Sequence, residues 1–230
     1  MTLKIKVAVA THRGKVRAHN QDTAGIGGWT LRAMEPVMLT MQLDVDDAAE
    51  LVVADGLGGH AGGEEASTAA VTAFFAAQGT LVERIASADA AVHNLGERTP
   101  RLSGLATTLA GVQLRQDGQL TIFHLGDSRV YRYIDGLLGL LTDDDKYPDG
   151  SLTQVLGGSL RMQLDAHLYE TYLAGDTLLI CSDGLTAVLD EEEIAVVLQL
   201  PLDEAAARLM DLALDSGAPD NVTLILCAAV

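Results

Sequence analysis

Cysteine, aromatic residues, proline and basic side chains are all scarce in this 230-residue chain. The two cysteines, Cys181 in TLLICSD and Cys227 in TLILCAA, both sit in apolar runs. A core of this size does not need a bridge, so buried free thiols in a reducing compartment are expected. No His pair has zinc-type spacing either, which argues against a soft-metal site. Lys and Arg total 15 against 32 Asp and Glu, a formal charge of −17. A field of that sign repels phosphate backbones and anionic lipid, so neither nucleic acid nor a membrane surface is an expected partner. No apolar run reaches the roughly 18 residues of a membrane span. The opening MTLKIKVAVATHRGK breaks at Thr11-His12-Arg13, too early for a secretory signal, and a cytoplasmic location is expected. With no Pro-rich linker, Ser/Gly tract or repeat, residues 1–230 are expected to form one domain, and a monomer.

What is present is an apolar, folded composition, 48% hydrophobic and 20% charged. Alternating or continuous apolar runs predict strands over Leu3–Ala10, Val37–Leu43, Leu51–Ala54, Ala106–Leu114, Leu120–Leu125, Arg129–Ile134, Asp165–Tyr172, Thr177–Cys181 and Val222–Ala229. Asp117-Gly118 between two of these predicts a tight hairpin. Helical spacing covers Glu64–Gln78, Thr80–Leu95, Asp190–Gln199 and Asp203–Asp215. Asp190 before Glu191, Glu192 and Glu193 reads as an N-cap with acid in the first turn, where the helix dipole favours it. Many short strands interrupted by two helix pairs predict an α+β fold. Its expected form is two packed, mainly antiparallel sheets, a β-sandwich flanked by helix pairs.

Three aspartates stand at the mouths of apolar strands: Asp55 and Asp183, each followed by glycine, and Asp220 ahead of Asn221-Val-Thr-Leu. A desolvated, unpaired carboxylate costs several kcal/mol, and few Lys or Arg lie nearby in sequence to neutralise these. A divalent cation would do so, and an all-oxygen donor set selects Mg²⁺ or Mn²⁺. Gly56 would let a backbone carbonyl approach that cation. The stretch Ala54–Glu64, ADGLGGHAGGE, packs five glycines and His60 between a strand and a helix. It fits neither the Walker pattern nor the dinucleotide fingerprint. Upstream, Arg13 to Asp22 offers guanidinium groups able to grip a phosphate. The acidic run Asp143–Asp145 reads as a solvated loop, with a loose cation site as the alternative.

In order, the chain carries VRAHNQD (Val16–Asp22), ADGLGGHAGGE, ATTL (Ala106–Leu109), LGDSRVY (Leu125–Tyr131), LTQVLGG (Leu152–Gly158), GDTLLICSDGLT (Gly175–Thr186) and PDNVT (Pro219–Thr223). This series resembles the PPM family, the metal-dependent type 2C protein serine/threonine phosphatases, in its small bacterial form. The resemblance implies a centre of two Mn²⁺ or Mg²⁺ ions held by Asp55, the Gly56 carbonyl, Asp183 and Asp220. By the same resemblance Asp22 holds water at that centre, Arg17 clamps the substrate phosphate, and Asp127 is tied to a third, weaker metal site. It also implies direct attack of activated water on phosphorus, with no phosphoenzyme. His60 is the candidate donor of a proton to the departing Ser or Thr oxygen. The implied partners are phosphorylated proteins, the products of a serine/threonine kinase. The family inserts a helical flap before LTQVLGG, whereas here only Lys146–Ser151 intervene. That shortening motivates a second reading, a weakly active pseudophosphatase or phosphoprotein-binding regulator. Within the enzyme class the rival is a phosphatase dedicated to an anti-sigma-antagonist-type regulator. Charge alone suggests a third, an acidic domain that binds calcium for stability.

Overall fold

The computed structural model describes residues 2–57, 62–159 and 164–230. Its strands are β1 (Leu3–His12), β2 (Asp22–Ile26), β3 (Trp29–Leu31), β4 (Val37–Val45), β5 (Ala48–Leu57), β6 (Ala106–Thr107), β7 (Leu109–Arg115), β8 (Gln119–Leu125), β9 (Arg129–Ile134), β10 (Leu137–Leu140), β11 (Leu156–Gly157), β12 (His167–Tyr172), β13 (Thr177–Cys181) and β14 (Val222–Ala229). The helices are α1 (Gly62–Ala76), α2 (Leu81–Arg98), α3 (Asp183–Thr186), α4 (Glu191–Val197) and α5 (Leu202–Asp215). One sheet runs β10-β9-β13-β14-β1-β4; the other runs β11-β6-β5-β7-β8-β12, with β2 on β5 and β3 on β2. Every strand pairing is antiparallel, as expected for the sandwich.

Strand alternation builds the layers. In β1, Ile5, Val7 and Val9 point between the sheets, where they meet Leu51, Val53, Val112 and Ile122. Ala8 and Ala10, one residue out of phase, face the other way and pack with Leu209, Ala213 and Ile194 of the α4–α5 pair. Across the molecule, Val52 and Ala54 of β5 pack outward against Phe74, Ile85 and Val92 of the α1–α2 pair. The order of layers is therefore helix pair, sheet, sheet, helix pair.

Local signals explain the element ends. Thr80 and Asp190 both form reciprocal capping boxes, with Glu83 and Glu193. The Asp117-Gly118 turn closes β7 onto β8 with Gly118 at φ +85°. Ala106–Leu114 is two strands rather than one, interrupted at Thr108 where the chain turns its bonding to Asp55. Cys181 and Cys227 are free and buried, and burial pushes both thiols up to about 12. Among the described residues no helix is long and apolar enough to cross a membrane.

Candidate metal centre

Antiparallel pairing assembles the site from distant segments. β2 lies beside β5 with Asp22 directly opposite Asp55. In the other sheet Cys181, at the end of β13, faces Leu224 near the start of β14. Asp183, two residues past that end, and Asp220, two residues before β14, are thereby brought to the same edge. The Ser182 hydroxyl donates to Asp22 Oδ2 at 2.7 Å and joins the sheets there. It accepts in turn from the Thr223 N–H at 3.0 Å.

Each acid is seated by its neighbours. The Asp55 N–H donates to Thr108 Oγ1 at 2.9 Å, and its carbonyl accepts from the Thr107 hydroxyl at 2.8 Å and the Thr108 N–H at 2.9 Å. The paired threonines of ATTL therefore fix the backbone of the acid. A Cβ on Gly56 would lie 2.0 Å from the Gly63 carbonyl oxygen, and one on Gly184 would lie 1.9 Å from that of Asn221. Both glycines beside the acids are thus required by backbone crowding.

Asn221 is the anchor of the loop that carries Arg17. It is nearly buried; its Oδ1 accepts from the Gln21 N–H at 2.8 Å, and its Nδ2 donates to the carbonyls of Arg13 and His19, each at 2.8 Å. Asn221→Ala leaves three backbone groups without their partner. At about 1 kcal/mol per bond, the expected loss is about 2–3 kcal/mol. Urea unfolding measures it, and a raised KM for a phosphopeptide at nearly constant Mn²⁺ affinity marks the freed Arg17 loop.

These groups line a cleft of about 550 Å³, walled by Arg17, Gln21, Asp55, Gly56, Asp127, Lys146, Asp183 and Asp220 among others. Arg17 donates from Nη2 to Asp220 Oδ2 at 2.6 Å. Lys146 is ion-paired with Asp127 and stands 3.9 Å from Asp183 Oδ2. Burial raises the pKa of Asp55 well above the carboxylate range, and Asp22, Asp183, Asp220 and Asp127 add to the rise. Burial likewise pushes Asp22 up to about 7 against the hydrogen bond from Ser182. Asp183 is raised by burial and by Asp127, with Lys146 opposing. Burial is the largest influence on Lys146 and works against its charge, but the bond to Asp127 together with the charges of Asp127, Asp183 and Asp144 leaves its pKa raised.

The cleft thus gathers Arg17, Asp55, Gly56, Asp127, Asp183 and Asp220, with Asp22 buried just behind. His60 lies outside the described residues. Of the run Asp143–Asp145, only Asp143 is exposed as a solvated loop predicts; Asp144 takes two 2.8 Å bonds from Arg129, and Asp145 Oδ2 accepts from the Gly126 N–H at 2.9 Å. Asp127 and Arg129 tie the turn between β8 and β9 to the segment 144–146, through Lys146 and Asp144 respectively. Lys146 is the member that the sequence did not reveal; its only signal is a lone base after three acids.

The donor set fits hard divalent ions. Five carboxylates meet two cationic side chains at this end of the sandwich, and Asp22 Oδ1 is buried with no hydrogen-bond partner. Burial first, and the neighbouring acids second, disfavour the charged carboxylates unless further positive charge enters. Among the described residues no three His, Cys, Asp or Glu side chains stand as a formed ligand set. Arg17 and Lys146 draw Asp220 and Asp127 toward themselves, while the backbone holds all the acids around one cleft.

A helix-flanked pair of antiparallel sheets with acids and glycines at one edge defines an acid-lined centre whose oxygen donors suit hard divalent cations. The family model described as Protein phosphatase 2C matches residues 40–222. The chain is 33% identical over 257 aligned positions to the serine/threonine protein phosphatase PstP of Mycobacterium tuberculosis, covering 100% of this chain and 46% of that protein. It therefore spans about half the length of that relative. The serine/threonine phosphatase stp of Listeria monocytogenes is 28% identical, with 94% and 92% covered. A crystal structure of the PstP catalytic domain in complex with two manganese ions superposes with a TM-score of 0.79 at 31% identity, covering 100% of both chains. This chain belongs to the protein phosphatase 2C family.

Proposed function

We propose that this protein is a metal-dependent protein serine/threonine phosphatase that hydrolyses phosphoserine and phosphothreonine with two Mn²⁺ or Mg²⁺ ions. The observation that carries this reading is the convergence of Asp55, Gly56, Asp183 and Asp220 on the cleft that also receives Arg17. In this reading the three carboxylates and the Gly56 carbonyl hold the ions. When bound, such ions supply an activated water nucleophile and neutralise charge developing on the phosphoryl oxygens. Arg17, about half exposed, turns from Asp220 to grip two phosphate oxygens through its planar fork. The unpartnered Oδ1 of Asp22 accepts a hydrogen bond from water and orients it. Asp22, held in place by Ser182, keeps that orientation fixed. His60 gives the leaving Ser or Thr oxygen its proton.

Residues 1–230 act as one phosphatase domain in this reading. The pairing of β1 with β14, which ties the two ends of the chain together, supports it. Buried free thiols agree with a reducing cytoplasm. Its substrates are phosphorylated proteins made by a serine/threonine kinase. The test is phosphate release from a phosphothreonine peptide by purified protein in Mn²⁺, with rapid-quench labelling. The expected result is turnover that EDTA abolishes, with no ³²P left on the protein. Tight peptide binding and bound Mn²⁺ without turnover would instead mark a phosphoprotein-binding regulator and refute the enzyme reading.

A further inference from the structure

Lys146 occupies an unusual place for a lysine in a cleft built to attract cations. Its ammonium is ion-paired with Asp127, which is only 5% exposed in the β8–β9 turn, and lies 3.9 Å from Asp183 Oδ2. The main chain on both sides of it is locked. Asp144, the second residue before it, is held by the bidentate pair with Arg129 at 2.8 Å. Asp145, directly before it, exchanges backbone and side-chain bonds with Gly126: its N–H donates to the Gly126 carbonyl at 3.0 Å, and its Oδ2 accepts from the Gly126 N–H at 2.9 Å. Its carbonyl accepts from the Thr153 N–H at 2.7 Å, and its Oδ1 contacts His167 Nε2 at 3.1 Å. Lys146 itself bridges to Leu152, and Tyr147 and Ser151 close the turn between them at 2.8 Å. This tight turn is what stands where the family carries a flap. The three consecutive residues thus spend their side chains on Arg129, on Gly126 and on Asp127, all in or beside one turn.

We propose that Lys146 is a built-in cation of the centre: its ammonium keeps Asp127 out of the metal-ligand set, so that the cleft loads two divalent ions and no third. The inference rests on the phosphatase reading above and concerns which acids serve the metals. A divalent ion using Asp127 together with Asp183 would have to sit where the ammonium is, and would face its repulsion at contact distance. Withdrawal of the ammonium into solvent would leave Asp127, only 5% exposed, as a buried carboxylate without its cation. Asp127 is thereby neutralised without a metal, and its carboxylate is occupied by the ammonium.

The test is the number of Mn²⁺ ions bound per chain, measured by equilibrium dialysis at millimolar metal with elemental analysis of the protein. The intact protein is expected to bind about two in the cleft, and Lys146→Ala about three. Lys146→Arg should return the count to that of the unaltered protein, and so should Asp127→Asn combined with Lys146→Ala. Lys146→Gln, which keeps the length of the stem, serves as a second neutral variant, and circular dichroism verifies folding of each. Charge on the outer surface binds ions equally in all of them and cancels in the differences. The proposal is overturned if Lys146→Ala and Lys146→Gln bind no more metal than the intact protein. It is also overturned if the intact protein already binds a third ion that Asp127→Asn removes. Failure of the phosphatase reading looks different: an intact protein that binds no Mn²⁺ in the cleft and releases no phosphate defeats both.

Discussion

Asp183→Asn is expected to lower phosphate release in Mn²⁺ by about three orders of magnitude or more, while the metal-free variant melts at a higher temperature than the parent. The first effect follows from the role proposed for this carboxylate. Metal ions contribute several kcal/mol to stabilising a phosphoryl transition state, and each 1.36 kcal/mol is about a factor of ten in rate. The second follows from repulsion. Burial and Asp127 raise the pKa of Asp183, so the folded protein without metal holds its charge at a cost. Asparagine keeps the shape and removes the charge. Lys146 keeps its pair with Asp127 in the variant. A rise of about 2–4 °C in Tm corresponds to about 1 kcal/mol in a protein of this size. Thermal melts in EDTA alongside the phosphopeptide assay check both halves. A variant that loses activity and also melts well below the parent would make Asp183 a structural residue.

The second large effect is on the pH dependence of stability. Asp22 is raised by burial to about 7, and Asp55 is raised well above its ordinary value by burial and by Asp22. In the unfolded chain both titrate near 4. Between those limits the folded protein binds more protons than the unfolded one, so its stability falls as pH rises. The contribution is complete below about pH 4 and is lost as pH passes through about 7. In EDTA, Tm is therefore expected to fall by about 5–10 °C between pH 5 and pH 7.5. With saturating Mn²⁺ the ions neutralise the acids, and the gap between the two curves widens with pH. Differential scanning calorimetry at several pH values, with and without metal, measures this. A gap that stays constant or narrows would mean that the buried acids do not meet the metal.

Much of this centre could be read along the chain, because its parts lie at the ends of strands whose local pattern is strong. Asp55, Asp183 and Asp220 each adjoin an apolar run and a glycine or an asparagine, and the structure keeps all three at one edge. The N-cap at Asp190 was equally legible, since a cap is decided within four residues. β2 was not. Its sequence, DTAGI, is wholly buried yet has only two apolar side chains larger than glycine, so no alternation announces it. Its pairing with β5 is what sets Asp22 opposite Asp55. β10, LLGL, is mostly exposed at a sheet edge and is ordered by its pairing with β9 rather than by a buried face.

The roles of Asn221 and Lys146 are of another kind. Nothing beside Asn221 in sequence indicates that it holds the backbone at Arg13, His19 and Gln21. Nothing beside Lys146 points to Asp127 or Asp183, and the acids next to it suggested a solvated loop.

The amino-acid sequence by itself determined the strand and helix periods, the caps, and which acids sit at strand mouths, because those depend on neighbours within a turn or two. Only the tertiary structure decided which acid faces which, that Arg17 meets Asp220, and that Lys146 reaches Asp127. Electrostatic interaction depends on separation through space, and antiparallel pairing brings together charges that the chain keeps far apart.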